Sequence, residues 1–148
     1  MQAFSRRLVA ENRLSTDDLI WPLFVIEGKN QTEAIDAMPG VSRHSIDQLL
    51  EQAHQAVELG IPAIAIFPSI DATLKNSSGS LAQDGDNLVC RAVRAVKSAY
   101  PDLGIVCDVA LDPFTDHGHD GVRHADEILN DETVEILCQQ AIHQANAG

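Results

Sequence analysis

Residues 103–121, LGIVCDVALDPFTDHGHDG, decide the fold, because an apolar run passes there directly into a loop dense in Asp and His. Successive side chains of a strand point to opposite faces. On that reading Leu103, Ile105, Cys107, Val109 and Leu111 form one bulky face. Gly104, Val106, Asp108, Ala110 and Asp112 form the other, which is small or acidic. A strand buried on both sides has no ordinary reason to carry two carboxylates on one face. That face is expected to look into a site.

Two more apolar runs of the same kind lie upstream. LIWPLFVI at 19–26 reads as a strand in spite of Pro22, and IPAIAIFP at 61–68 as a second. Between them lies a polar connection (27–44) with a Pro39-Gly40 turn signal. A helix follows, opened by a Ser45/Gln48 capping box, with Ile46, Leu49, Leu50, Ala53, Ala56 and Val57 on its apolar face and Gly60 as its stop. A Ser-, Asp-, Asn- and Gly-rich loop at 69–87, longer than packing requires, hints at function or disorder. The next helix spans about Asn87–Tyr100, with Leu88, Ala92, Val96 and Ala99 on one side, and Pro101 ends it. A last helix near Asp131–Asn146 shows Val134, Leu137, Cys138, Ala141, Ile142 and Ala145 at helical spacing.

The pattern is strand then helix three times over, with very short returns to each strand and long loops only after the strands. That asymmetry belongs to a TIM-type (β/α)8 barrel, whose active site is built from the loops after the strands. A closed barrel takes eight units and about 250 residues. These 148 residues hold three, so the expected architecture is α/β: an N-terminal arm at 1–16 and a partial (β/α) barrel at 17–148, the front of something longer with an open sheet edge.

The totals exclude several classes. A net charge of −12 argues against nucleic acid or anionic membrane as partner. No apolar run approaches the roughly 20 residues of a membrane span, and MQAFSRRLVAEN lacks the apolar stretch of a secretion signal. Cys90, Cys107 and Cys138 form no CxxC and, lying on segments that read as helix or strand, are expected to be buried free thiols. The cytoplasm is the expected compartment.

Chemistry concentrates in Asp108, Asp112, His117, His119 and Asp120, which are metal ligands or acid–base groups by type. The competing reading makes Asp112 a turn residue before Pro113 and the histidines solvated. Lys75 could close over an anionic substrate, or simply be solvated. His44, His54, His124 and His143 need no function.

At this loop the sequence resembles porphobilinogen synthase, also called 5-aminolevulinate dehydratase. The resemblance runs through FSRRLVAEN, DDLIWPLFVIEG, MPGVSRHSIDQLL, LGIPAIAIFP and, most specifically, DVALDPFTDHGHDG. It implies a (β/α) barrel whose arm, carrying Arg6 and Arg7, embraces a neighbour and builds homo-octamers. It implies condensation of two 5-aminolevulinate molecules to porphobilinogen, on the route to haem and chlorophyll. Zinc-dependent members carry three cysteines where this chain has Ala110, Asp112 and Asp120, so the zinc cysteine site is absent. The aspartate-rich type is implied, often stimulated by Mg2+. Asp108 matches the family's active-site aspartate, a substrate-orienting and proton-transferring group. Asp112 and Asp120 would line the site and, with His119, offer a metal site.

The two Schiff-base lysines, the basic clamp for the substrate carboxylate and the Mg2+ glutamate of the family fall beyond residue 148. Lys29, Lys75 and Lys97 do not replace the lysines, so the chain alone is expected to be inactive. A non-catalytic interaction module and a metal-dependent hydrolase using His117, His119 and Asp120 are the alternatives.

Overall fold

The computed structural model describes residues 2–148. The apolar runs form three parallel strands that pair in chain order: β1 (Ile20–Ile26), β4 (Ala63–Pro68) and β5 (Gly104–Cys107). Two short strands within the 27–45 connection extend the sheet beyond β1. These are β2 (Thr32–Ala34) and β3 (Ser42–Ser45), antiparallel to each other, with β3 parallel to β1. The five-stranded order is β2-β3-β1-β4-β5. The sequence reading held only three strands. Thr-Glu-Ala and Ser-Arg-His-Ser carry no apolar alternation, so tertiary pairing, not pattern, makes them strands. β3 meets β1 only at Phe24–Ile26, which leaves Pro22 where that edge of β1 has no ladder partner.

Helices α2 (Ile46–Glu58), α3 (Leu88–Ala99) and α4 (Asn130–Ala147) follow β3, β4 and β5. The core lies between the sheet and α2 and α3, where Leu23, Val25, Ile64, Ile66 and Leu103 meet Leu49, Ala53, Leu88, Ala92 and Val96. Val57 and Ala99, expected on apolar faces, are exposed. Ser45 caps α2 without the expected box: its hydroxyl donates to Asp47 and accepts from the Gln31 amide, and Gln48 reaches Asn30 instead. At the other end Gly60 sits at φ +70°, with Gly60 N–H donating to Val57 and Ile61 N–H to Ala56, a Schellman stop.

α4 departs most from expectation. Its buried residues are Thr133, Gln140, Gln144 and Ala147, whereas Val134 and Ile142 are 49% and 51% exposed and Cys138 faces out. Leu137 of the expected stripe packs against the core with Ile136, and Ala141 and Ala145 line a groove with Val93 and Ile105, so the stripe is only half turned inward. The focal strand also stops early: its ladder ends at Cys107, and 108–110 continue without strand pairing. A small β6–β7 hairpin (Arg123–His124, Glu127–Ile128) precedes α4. At the N-terminus α1 (Ala3–Leu8) lies outside the core, and no described residue up to Ile20 is buried.

Candidate active site at the strand ends

The helices cover one face of the sheet, so the other carries the candidate site. Phe24 and Phe67 are register partners at the C-terminal ends of β1 and β4, with ring centroids 5.8 Å apart. With Pro68, Phe114 and Pro113 they floor a cleft of about 210 Å³ whose acidic wall is Asp108, Ala110 and Asp112. Ile105, Cys107 and Val109 line a separate groove on the helix side. The two-residue alternation thus persists past the last ladder bond, because 108–110 stay extended enough to keep their parity.

Leu111 then closes a turn, its carbonyl accepting from the amides of Phe114 (2.8 Å) and Thr115 (3.0 Å). Leu111, Phe114 and Thr115 are buried and plug the loop into the core. Asp112 is a turn residue, as the plainer reading held, and it also lines the cleft. Asp120 returns to the same place, where its Oδ1 accepts from the Leu111 amide at 2.6 Å. The carboxyl of Asp112 is pushed up, first by burial and then by the negative charges of Asp120 and Asp108, while Lys75 acts in the opposite sense. Asp108, Asp112 and Asp120 therefore form one electrostatic cluster with Lys75 as its nearby cation.

The 69–87 loop is organised, not loose. It contains two 3-10 turns (Ala72–Leu74 and Ser80–Gln83) around Asn76, whose Oδ1 accepts from the amides of Ser78 and Ser80. Asn76 also bridges to Thr115, donating its amide to Phe114 and accepting from Asp116. His117 staples the two loops. Its Nδ1 accepts from the His119 amide, so the proton sits on Nε2, which donates to the Ser77 carbonyl at 3.2 Å. With both ring nitrogens engaged, His117 is neither a solvated residue nor a free ligand.

His119 is exposed, its ring tilted against that of His117 at 5.4 Å. A hard cation needs several oxygen ligands at once. One oxygen of the Asp120 carboxylate, Oδ1, is engaged with the Leu111 amide. Among the described residues no group of three His, Cys, Asp or Glu could hold a metal ion. Asp112, Asp120 and His119, as arranged, do not fit a directly bound metal, and no chemical step is assigned to one.

Two parts of the site were not found from the sequence. Phe24 and Phe67 are detectable in hindsight as the aromatic residues at the ends of two adjacent strands. Gln140 and Gln144, which reach this segment from α4, gave no signal, because polar residues on a helix read as its solvent side.

The family model described as delta-aminolevulinic acid dehydratase matches residues 1–148. The chain is 56% identical over 145 residues to the delta-aminolevulinic acid dehydratase of Bradyrhizobium diazoefficiens, covering 98% of this chain and 41% of that one. It is 45% identical to the chloroplastic protein of that name from Pisum sativum, covering 97% and 36%. Its fold matches the crystal structure of delta-aminolevulinic acid dehydratase (porphobilinogen synthase) from Toxoplasma gondii ME49 in complex with the reaction product porphobilinogen. The TM-score is 0.95 at 42% identity, covering 99% of this chain and 42% of that one. The chain spans about two fifths of the length of such relatives.

Proposed function

The chain belongs to the delta-aminolevulinic acid dehydratase family, and on that premise we propose that it is the N-terminal portion of an enzyme condensing two 5-aminolevulinate molecules to porphobilinogen. The observation that carries the reading is the cleft at the strand ends. Two carboxylates share one wall there, over an aromatic floor, on a fold that superposes closely on a porphobilinogen-bound enzyme.

In this reading Asp108 orients substrate and assists proton transfer. Asp112, its carboxyl raised, supplies a second acid–base group or a hydrogen-bond donor to the same cleft. Asp120 braces the wall. No lysine here supports imine chemistry. Lys97 donates from α3 to the carbonyls of Pro101 and Leu103, and Lys29 and Lys75 lie in loops. The covalent chemistry belongs to the remainder of the enzyme. Stimulation by Mg2+, part of the same reading, then acts through residues outside these 148.

We extend the proposal to self-association through the arm, on the support of Leu8 and Leu14, which are 80% and 82% exposed beside Arg6, Arg7 and Arg13. Among the described residues no helix is long and apolar enough to cross a membrane. The cytoplasm remains the proposed compartment.

The test is 5-aminolevulinate turnover by the 148-residue chain and by the complete reading frame that contains it. The complete protein should turn over and the chain should not. Asp108→Ala in the complete protein should lower kcat by about 100-fold or more while assembly is retained. An unaffected rate would remove Asp108 from the chemistry.

A further inference from the structure

The segment that carries Asp108 and Asp112 lies beyond the last ladder bond of β5, at Cys107. Its carbonyls at 108 and 110 are held all the same. Gln144 Nε2 donates to the Asp108 carbonyl at 2.9 Å, and Gln140 Nε2 to the Ala110 carbonyl at 3.1 Å.

The match is one of spacing. Residues i and i+2 of an extended chain present their carbonyls to the same side about 6.6 Å apart. Residues i and i+4 of a helix lie on one face about 6 Å apart. Two glutamines one helical turn apart therefore fit two alternate carbonyls of the strand, and do for 108 and 110 what a neighbouring strand does elsewhere.

Both glutamines are buried, at 1% and 7% exposure, where glutamine is uncommon. Gln140 Oε1 is a buried acceptor without a partner among the described residues. An unpartnered buried acceptor is destabilising.

We propose that Gln140 and Gln144 are positioning residues, a two-point clamp from α4 that fixes the backbone at 108–110 and so aims Asp108 and Asp112 into the cleft. The consequence for catalysis rests on the reading given under Proposed function; the clamp itself does not.

Two measurements on the complete protein separate the two. The first is hydrogen–deuterium exchange of the amides in 108–112, which needs no turnover. Gln140→Met and Gln144→Met keep side-chain length and remove the donor. Each should speed that exchange several-fold and leave α4 unchanged, whereas Gln139→Met, next door on the helix, should not.

The second is steady-state kinetics with 5-aminolevulinate. The Met variants should lose about 10-fold in kcat with KM changed less than about 2-fold, at a Tm within about 5 °C of wild type. Gln144→Glu adds a signature that mere packing would not produce. It can donate only while protonated, so its kcat relative to wild type should fall as pH rises from about 5 to 8, while the ratio for Gln144→Met stays flat.

Unchanged exchange in both Met variants overturns the clamp. Faster exchange with unchanged kcat overturns its positioning role. A wild-type protein that exchanges as expected but does not turn over 5-aminolevulinate overturns the functional reading and leaves the clamp standing on the exchange result.

Discussion

Asp120 allows a structural role to be separated from a metal-ligating one by a single position. Its carboxylate accepts from the Leu111 amide at 2.6 Å, and Leu111 is fully buried. Asp120→Ala leaves that amide without its acceptor. A hydrogen bond to a charged group contributes about 1.5–3 kcal/mol, and the exposed outer side of Asp120 puts this one at the low end. Removing a negative charge beside Asp112 returns a few tenths. The net cost should be about 1–1.5 kcal/mol.

Asp120→Asn keeps a neutral Oδ1 acceptor, roughly half as strong, and gives the same electrostatic relief. It should stay within about 0.5 kcal/mol of wild type. Urea unfolding of the chain at pH 7 reads both. With an m-value of about 1.5 kcal/mol/M, Asp120→Ala should lower the midpoint by about 0.7–1 M and Asp120→Asn by under about 0.4 M. If Ala proves harmless, or Asn proves as damaging as Ala, the anchor is not what Asp120 does.

Asp112 gives a pH dependence of known sign. Its folded-state carboxyl is raised, so the folded chain holds that proton more tightly than the unfolded one. The associated stability is present below the ordinary aspartate range and is lost as pH rises through the raised value. Asp112→Asn should therefore gain on wild type between pH 3.5 and pH 7 in chemical unfolding, and a gap that ignores pH would contradict the assignment. Among the thiols, Cys138 is exposed, Cys90 is buried, and burial pushes Cys107 up to about 11. At pH 7.5 one thiol per folded chain should react rapidly with a disulfide reagent and all three in urea; two fast thiols would be wrong. Gly60→Ala forces alanine to φ +70° with its Cβ 3.5 Å from Thr16 Oγ1, an ordinary contact. It should lose about 1 kcal/mol through the backbone alone, seen as a lower urea midpoint.

Strands β1, β4 and β5 and helices α2 and α3 were legible because their apolar residues follow one period and are bounded by Gly60, Asn87 and Pro101. β2 and β3 were not, since the polar residues of β3 become a strand only when Phe24–Ile26 offers a ladder, and those of β2 only when β3 does. That Asp108 and Asp112 share a side was legible through two-residue parity, although β5 ends at Cys107 and Asp112 sits in a turn. The jobs of Asp120 and His117 were not, because both depend on backbone groups in other segments, Leu111 and Ser77, that spacing cannot bring together. α4 misled for a physical reason. Its inward side mixes Ile136, Leu137 and Ala147 with Gln140 and Gln144, whose amides answer carbonyls at the end of β5.

The order β1-β4-β5 is also the order of translation, with each strand pairing with one about 40 residues earlier. β4 and β5 each find their template already present, and β2 waits only about ten residues for β3, so no strand waits for a distant partner before it can be laid down. Only the final seam of a closed cylinder would join residues far apart along the polypeptide, and that step carries the loop-closure penalty which slows folding. Pairing in chain order thus lets the sheet grow strand by strand as the polypeptide is made.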